Sequence, residues 1–142
     1  MGTRSTTTIW EHDGGDGQGL GTPILSFYRQ YDGYPTGHGQ ELADLLKGID
    51  LCVGIEYPDT RVDTTRKRAN GSGCLAAQIL VHFKGDKVGG IYVIPHEATG
   101  GQAYHYDVII NIDTDGIEIQ TDYGWAGTPE DFDGSEHGAL EA

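Results

Sequence analysis

Residues 27–39 bring together several side chains that are suited to binding an anionic ligand. An arginine binds phosphate through a planar fork of N–H donors, tyrosine rings stack on nucleobases, and glycine lets a ligand approach the backbone closely. The segment combines all three kinds of group with an aspartate and a histidine. We therefore predict a ligand site formed by Tyr28, Arg29, Tyr31, Asp32, Tyr34, Gly37, His38 and Gly39.

A second arginine is expected to join this site. Arg4 lies on the first of two strands that the sequence predicts to pair, and Arg29 lies on the second, so their guanidinium groups are expected to converge. Thr36 is predicted to cap the following helix, which would leave free amides at the two glycines beside the positive end of the helix dipole. The alternative is structural: Asp32 bonds its own backbone in a turn, and the tyrosines cover the helix.

Basic residues are concentrated in one loop. The chain has 9 Lys and Arg residues in total, and residues 56–70 show neither helical nor strand periodicity. We predict a secondary anion-binding patch in this loop, and the alternative is a solvated loop without a ligand. The patch consists of Arg61, Arg66, Lys67 and Arg68.

Histidines and aspartates also allow an enzymatic interpretation, a small hydrolase. The general bases would be His38, His96 and His105, with Asp32 or Asp107 beside them. A metal site would instead use His96, His105 and Asp107. However, no Ser, Cys or Lys stands in a known nucleophile motif, and the sequence contains no P-loop, dinucleotide fingerprint or zinc ribbon. We therefore predict binding without catalysis, with no catalytic residue, metal or cofactor.

The composition restricts the partners. The chain has 142 residues, enough for one domain, and a formal net charge of -13. Such acidity disfavours non-specific binding to nucleic acid or to anionic membranes. It also suggests a third function, an acidic inhibitor or nucleic-acid mimic that blocks a host protein. Cys52 and Cys74 are too few for a disulfide framework, and no leader or membrane-spanning stretch is evident, so a cytoplasmic location is expected.

Hydrophobic residues recur with a strand period in some segments and with a helical period in others, which predicts an α+β fold. Strand patterns occur at residues 3–11, 24–31, 90–97, 104–113 and 116–123, and helical patterns at 36–47 and at 73–84, where Ser72 is the expected cap. The order ββ-α-α-βββ predicts a mostly antiparallel sheet with two helices on one face. Residues 1–127 would form this domain, and the acidic residues 128–142 a flexible tail. Open sheet edges favour a homo-oligomer.

The last three strands are predicted to form a meander. In the expected register His96 pairs with His105, and Ile112 pairs with Ile117. The core face then carries Ile91, Val93, Val108, Ile110, Ile112, Ile117 and Ile119. The opposite face, exposed to water or a ligand, carries Tyr92, His96, His105, Asp107, Glu118, Gln120 and Asp122.

Two motifs together resemble a family of small bacteriophage and prophage proteins. The first is the Gly-Thr-Arg-Ser start at residues 2–5, and the second is Tyr-Arg-Gln-Tyr-Asp-Gly-Tyr-Pro at residues 28–35, followed by Gly-His-Gly at 37–39. The resemblance covers about the first third of the chain. It implies a phage-type accessory protein in the host cytoplasm. Accessory proteins of phages often act against host defences, and one recurrent way is to sequester a nucleotide signal without cleaving it. By analogy, a small anionic or nucleotide ligand is expected.

Overall fold

The computed structural model describes residues 2–12, 20–52, 67–114 and 116–136. Within these ranges the elements are β1 (Ser5–His12), β2 (Thr22–Arg29), α1 (Gln40–Leu46), β3 (Asp50–Cys52), β4 (Arg68–Asn70), α2 (Gly71–Lys84), β5 (Ile91–Val93), β6 (Tyr104–Asn111), β7 (Gly116–Thr121) and β8 (Ala126–Gly127). A π-helical turn spans Pro35–Gly39, and 3-10 turns span His96–Ala98 and Pro129–Asp131. The predicted α+β class and its broad strand–helix order are confirmed. None of the described helices has the length and apolar character needed to cross a membrane.

Six strands form one sheet in the order β5-β2-β1-β6-β7-β8. The central strand β1 pairs antiparallel with β2 and parallel with β6. The other pairs in this sheet are antiparallel, which confirms the predicted mostly antiparallel arrangement. The short strands β3 and β4 form a separate parallel pair.

The predicted meander of the last three strands is wrong, because β5 pairs with β2 at the far edge of the sheet. β5 ends at Val93, and Pro95 follows, which has no N–H to donate to a neighbouring strand. His96 therefore begins a 3-10 turn and does not pair with His105. The chain from residue 94 to 103 then connects β5 to β6 on the other side of β1.

The hairpin between β6 and β7 pairs in a register that is shifted by two residues from the predicted one. Ile117 pairs with Ile110, so Ile112 lies in the turn instead of opposite Ile117. The Oδ1 atom of Asn111 accepts a hydrogen bond from the amide of Asp113 at 3.0 Å. This local bond closes the turn immediately after β6.

The predicted core face is right for β6 and β7 but only half right for β5. Val108, Ile110 and Ile119 are buried, and so is Ile91. Val93 is 61% exposed. The reason is that β5 is a short strand at the sheet edge and not the inner strand of a meander.

Both helices pack on one face of the sheet, as predicted. Phe27 and Tyr106 are the two cross-strand partners of Thr7, so all three side chains share a face. The Phe83 ring of α2 lies 5.8 Å from Phe27, and the His38 ring before α1 lies 5.1 Å from Tyr106. The core therefore sits between this face and the helices.

Neither predicted helix cap is formed. The first helical segment begins at Pro35 with a π-turn after the extended Tyr34, and it has no side-chain cap, so Thr36 lies inside it. The second helix begins at Gly71, and the Ser72 hydroxyl donates to the carboxylate of Glu11 on β1 instead of capping. At Ser72 a tertiary partner thus replaces the local capping bond that the sequence suggested.

Residues 128–136, the first part of the predicted tail, contact the rest of the domain. Phe132 is 2% exposed and lies in the hydrophobic core. The amide of Gly134 donates to Oε1 of Gln40 at 2.7 Å, and the amide of Gly48 donates to Oε2 of Glu130 at 3.1 Å. The remainder of the predicted tail, residues 137–142, lies outside the described residues.

Candidate functional site

The predicted site begins as a sharp corner between β2 and the first helical turn. Asp32 has a φ of 61°, a left-handed conformation that aspartate tolerates better than most residues. Gly33 follows, and its amide donates to the carbonyl of Thr3 at 2.9 Å. A Cβ atom at Gly33 would lie 2.7 Å from Cβ of Ser5, so only glycine allows this close approach to β1.

Arg29 is held in place by several contacts at this corner. Its Nε donates to the carbonyl of Tyr31 at 2.6 Å, and its Nη1 lies 3.1 Å from Oε1 of Glu41. The guanidinium carbon lies 5.5 Å from the centre of the Phe83 ring. The other carboxylate oxygen of Glu41 lies 3.0 Å from Nε2 of His82 on α2. The arginine is therefore oriented by groups from the turn after β2, from α1 and from α2.

His38 is fully buried and electrically neutral. Its Nδ1 lies 3.2 Å from Nη1 of Arg29, and its Nε2 lies 2.8 Å from Oγ1 of Thr7. Because a guanidinium only donates, Nδ1 accepts and the imidazole proton is on Nε2, directed to Thr7. Burial, together with the nearby charge of Arg29, lowers the pKa of His38 from 6.5 to about 3. His38 was predicted to contact a ligand, but its side chain lies in the core.

The backbone amides predicted to receive an anion are already bonded. The amides of Gly37 and Gly39 donate to the carbonyl of Tyr34 at 2.9 and 3.4 Å, and the amide of His38 donates to the carbonyl of Asp32 at 2.8 Å. The π-turn uses these groups before α1 begins. A Cβ atom at Gly39 would lie 2.9 Å from the Phe132 ring, so this glycine serves close packing.

Two of the predicted site residues, Arg4 and Tyr28, have their side chains on the face of the sheet opposite that of Arg29. Arg4 is exposed and directly precedes Ser5, the strand partner of Arg29, so alternation places its side chain on the other face of the sheet. The two arginines do not converge as expected. Tyr28 also lies on that other face, with its ring 6.1 Å from Tyr92. Tyr31 is 53% exposed.

A cleft of about 820 Å³ opens beside the corner. Its volume is in the range of small-molecule sites. Its walls include four of the predicted residues together with groups from α1, from α2 and from the end of the basic loop. Those that matter for ligand chemistry are Arg29, Asp32, Tyr34, Gly37, Glu41, Asp44, Lys67 and His82.

Lys67 connects the basic loop to the end of α1. Its Nζ donates to the carbonyls of Asp44 at 3.0 Å, Leu45 at 3.3 Å and Lys47 at 3.4 Å. These are carbonyls of the last helical turn and of the residue after it, where a cation is favourable. Of the predicted secondary patch, Lys67 therefore reaches the cleft.

Arg68, the other described member of the secondary patch, does not line the cleft. The Nε of Arg68 lies 3.6 Å from a carboxylate oxygen of Asp50 on the neighbouring strand β3. Its Nη2 lies 3.7 Å from the Cys52 sulfur. Arg61 and Arg66 lie outside the described residues.

The cleft presents charges of both signs. Arg29 and Lys67 face the carboxylates of Asp32, Glu41 and Asp44. The hydrogen bond from the Gln40 amide, with a smaller contribution from Lys47 and Lys67, lowers the pKa of Asp44 below its ordinary value. The cleft is therefore suited to a ligand that combines an anionic group with hydrogen-bond donors.

On the other face of the sheet, His105 and Asp107 are joined by a hydrogen bond. Nδ1 of His105 lies 2.7 Å from Oγ1 of Thr6, and its Nε2 lies 2.9 Å from Oδ1 of Asp107. The same carboxylate oxygen accepts from Nε1 of Trp10 at 2.8 Å, and the Trp10 ring lies 4.9 Å from His96. The network crosses from β1 to β6, and Thr6 is buried, which favours a structural role over a nucleophilic one. In the chain as described, no three metal-ligating side chains form a group that could hold a metal ion.

Sequence patterns provided little indication that Glu41, Asp44 and His82 are site residues. Glu41 and His82 are 41 positions apart, and each lies on an exposed helical surface where charged residues are common. Only the packing of α1 beside α2 brings them together. The comparisons with known proteins add no relative, since no family model, no curated protein and no solved structure matches this chain.

Proposed function

We propose that the cleft binds a small ligand of the nucleotide class and holds it without chemical conversion. The observation that carries this proposal is the Arg29 guanidinium, which is fixed in the wall of a cleft of about 820 Å³. A donor fork held in advance loses little freedom when it binds phosphate. Because the sequence resembles small phage proteins, we propose that such binding sequesters a nucleotide signal.

The side chains that line the cleft suit the phosphate, the ribose and the base of a nucleotide. Arg29 bonds its described protein partners through Nε and Nη1, and no described residue engages Nη2, so this nitrogen is left for a phosphate oxygen. The carboxylates of Asp32 and Asp44 suit the hydroxyl groups of a ribose or the amino group of a base. The Tyr34 side chain supplies an aromatic surface in the same cleft.

The histidine at the corner is not available as a general base for a ligand in the cleft. His38 is neutral and completely buried, and its proton is directed to Thr7 in the core. It does not line the cleft, so it neither gives a proton to a bound ligand nor takes one from it.

The test is calorimetric titration with AMP and with ADP, supported by thermal unfolding. A ligand at a hundredfold its dissociation constant should stabilise the protein by about 2.7 kcal/mol. Arg29→Gln should weaken binding by roughly 10- to 100-fold, because a charge-assisted hydrogen bond is lost. Arg29→Lys tests whether the charge alone is sufficient or the planar fork is needed.

Arg4→Gln is the matched control, since it removes the same charge from an exposed position outside the cleft. It should leave the affinity unchanged, and circular dichroism should show that each variant is folded. The absence of binding and of a thermal shift with both nucleotides would contradict the proposal. Recovery of degraded ligand after heat denaturation would show that the protein is an enzyme.

A further inference from the structure

A second, smaller groove adjoins the cleft on the other side of Arg29. It has a volume of about 280 Å³ and shares Arg29, Asp32 and Glu41 with the cleft. Its own walls come from the end of α2 and from the segment that leads into β5. The Arg29–Glu41 ion pair thus borders both grooves.

Lys87 gives the smaller groove a second cation. It is exposed, and it makes no ion pair with any described residue. Its backbone is held by a hydrogen bond from its amide to the carbonyl of Lys84 at 3.1 Å. The ammonium group of Lys84 in turn donates to the carbonyls of Gly89 at 3.3 Å and Ile91 at 3.1 Å, which fixes the segment beside the helix end.

The backbone in this groove is accessible because glycines form part of its wall. Gly89 and Gly90 have φ values of 75° and 80°, a conformation that favours glycine. At Gly90 even an added Cβ atom would meet nothing within 4 Å. A ligand oxygen can therefore approach between this bare backbone and the two cations.

The carboxylates shared by the two grooves have partners of their own. Glu41 contacts Arg29 at 3.1 Å and His82 at 3.0 Å. Asp32 accepts a hydrogen bond from the Tyr34 hydroxyl at 3.2 Å. Lys87 is the charge in the smaller groove that has no such partner among the described residues, which makes it the group best placed to take an added anion.

We propose that the ligand carries at least two phosphates, as a nucleoside diphosphate does. The nucleoside fills the larger cleft, Arg29 binds the phosphate next to it, and the terminal phosphate enters the smaller groove beside Lys87. This assignment rests on the proposed nucleotide binding and specifies the ligand class further.

Titration of AMP and ADP in a buffer with EDTA tests the assignment. The wild-type protein should bind ADP about tenfold more tightly than AMP, because the terminal phosphate gains a charge-assisted contact. Lys87→Gln should weaken ADP binding to the level of AMP and leave AMP binding unchanged. Lys87→Arg should retain the preference for ADP, and Arg4→Gln should not alter it.

The outcomes separate this assignment from the general proposal. Equal affinities for AMP and ADP in the wild type, or equal weakening of both by Lys87→Gln, would overturn the diphosphate assignment and leave nucleotide binding intact. If neither nucleotide binds, the proposed function fails and the assignment fails with it. Because Lys87 is exposed, the fold should not depend on it.

Discussion

Acidification from pH 7 to pH 3 should reduce the stability of this protein by roughly 4 to 5 kcal/mol through His38 alone. The pKa of this residue is 6.5 when unfolded and about 3 when folded, because burial and then Arg29 disfavour the imidazolium. The unfolded chain therefore binds the proton more readily. The stabilisation is complete above pH 6.5 and decreases as the pH falls to about 3. Urea unfolding at several pH values measures this loss.

His38→Gln separates this contribution from that of the carboxylates. A glutamine can donate to Thr7 and accept from Arg29, as the neutral imidazole does, but it does not titrate. Although the variant itself should be less stable at pH 7, its stability should decrease less between pH 6.5 and 4 than that of the wild type. Parallel pH profiles for the two proteins would show that His38 is not the buried neutral group described above.

Phe132→Ala should lower the free energy of unfolding by about 3 to 5 kcal/mol. The Phe132 side chain is 2% exposed, and its ring contacts Trp125 edge to face with centroids 5.1 Å apart. It also packs against the bare backbone of Gly39, at the junction between the π-turn and α1. Truncation would leave a cavity beneath the corner that carries Arg29. Urea denaturation of the variant and the wild type gives the difference.

Asp131→Ala is the matched control, because Asp131 is the exposed neighbour of Phe132. It should change the stability by less than about 0.5 kcal/mol. If Phe132→Ala were equally mild, residues 128–136 would be a loosely attached tail, as their acidic composition suggested. A large effect from Phe132→Ala alone would place this segment in the cooperative fold.

Local sequence patterns predicted the elements that depend on neighbouring residues. The alternation in the first two strands predicted an antiparallel pair, and β1 and β2 form one. The helical spacing of Leu75, Ile79, Leu80 and Phe83 predicted the buried side of α2, where Leu80 is partly buried and the other three are buried. The glycine, aspartate and proline of residues 32–35 predicted a corner before a helix, because these residues restrict or extend the backbone choices at their own positions.

Partners distant in sequence were not predictable in this way. β1 pairs in parallel with β6, so that Ser5 is opposite Tyr104, and β5 pairs with β2 at the far edge. Several strands have similar propensity, and sequence proximity favoured a meander among the last three. The acidic segment was predicted to be flexible from its charge, yet a single phenylalanine, Phe132, anchors part of it.

The sequence by itself determined the fold class, the two helices on one face and the corner at which Arg29 stands. The tertiary structure decided which groups surround that arginine: it buried His38, turned Arg4 to the other face, and brought in charges from α1, α2 and the basic loop. The physical reason is the distance along the sequence over which each property is determined. Backbone conformation and periodic burial are set by neighbouring residues, whereas the charge and hydrogen bonding of a site depend on side chains that meet only after the sheet and helices have packed.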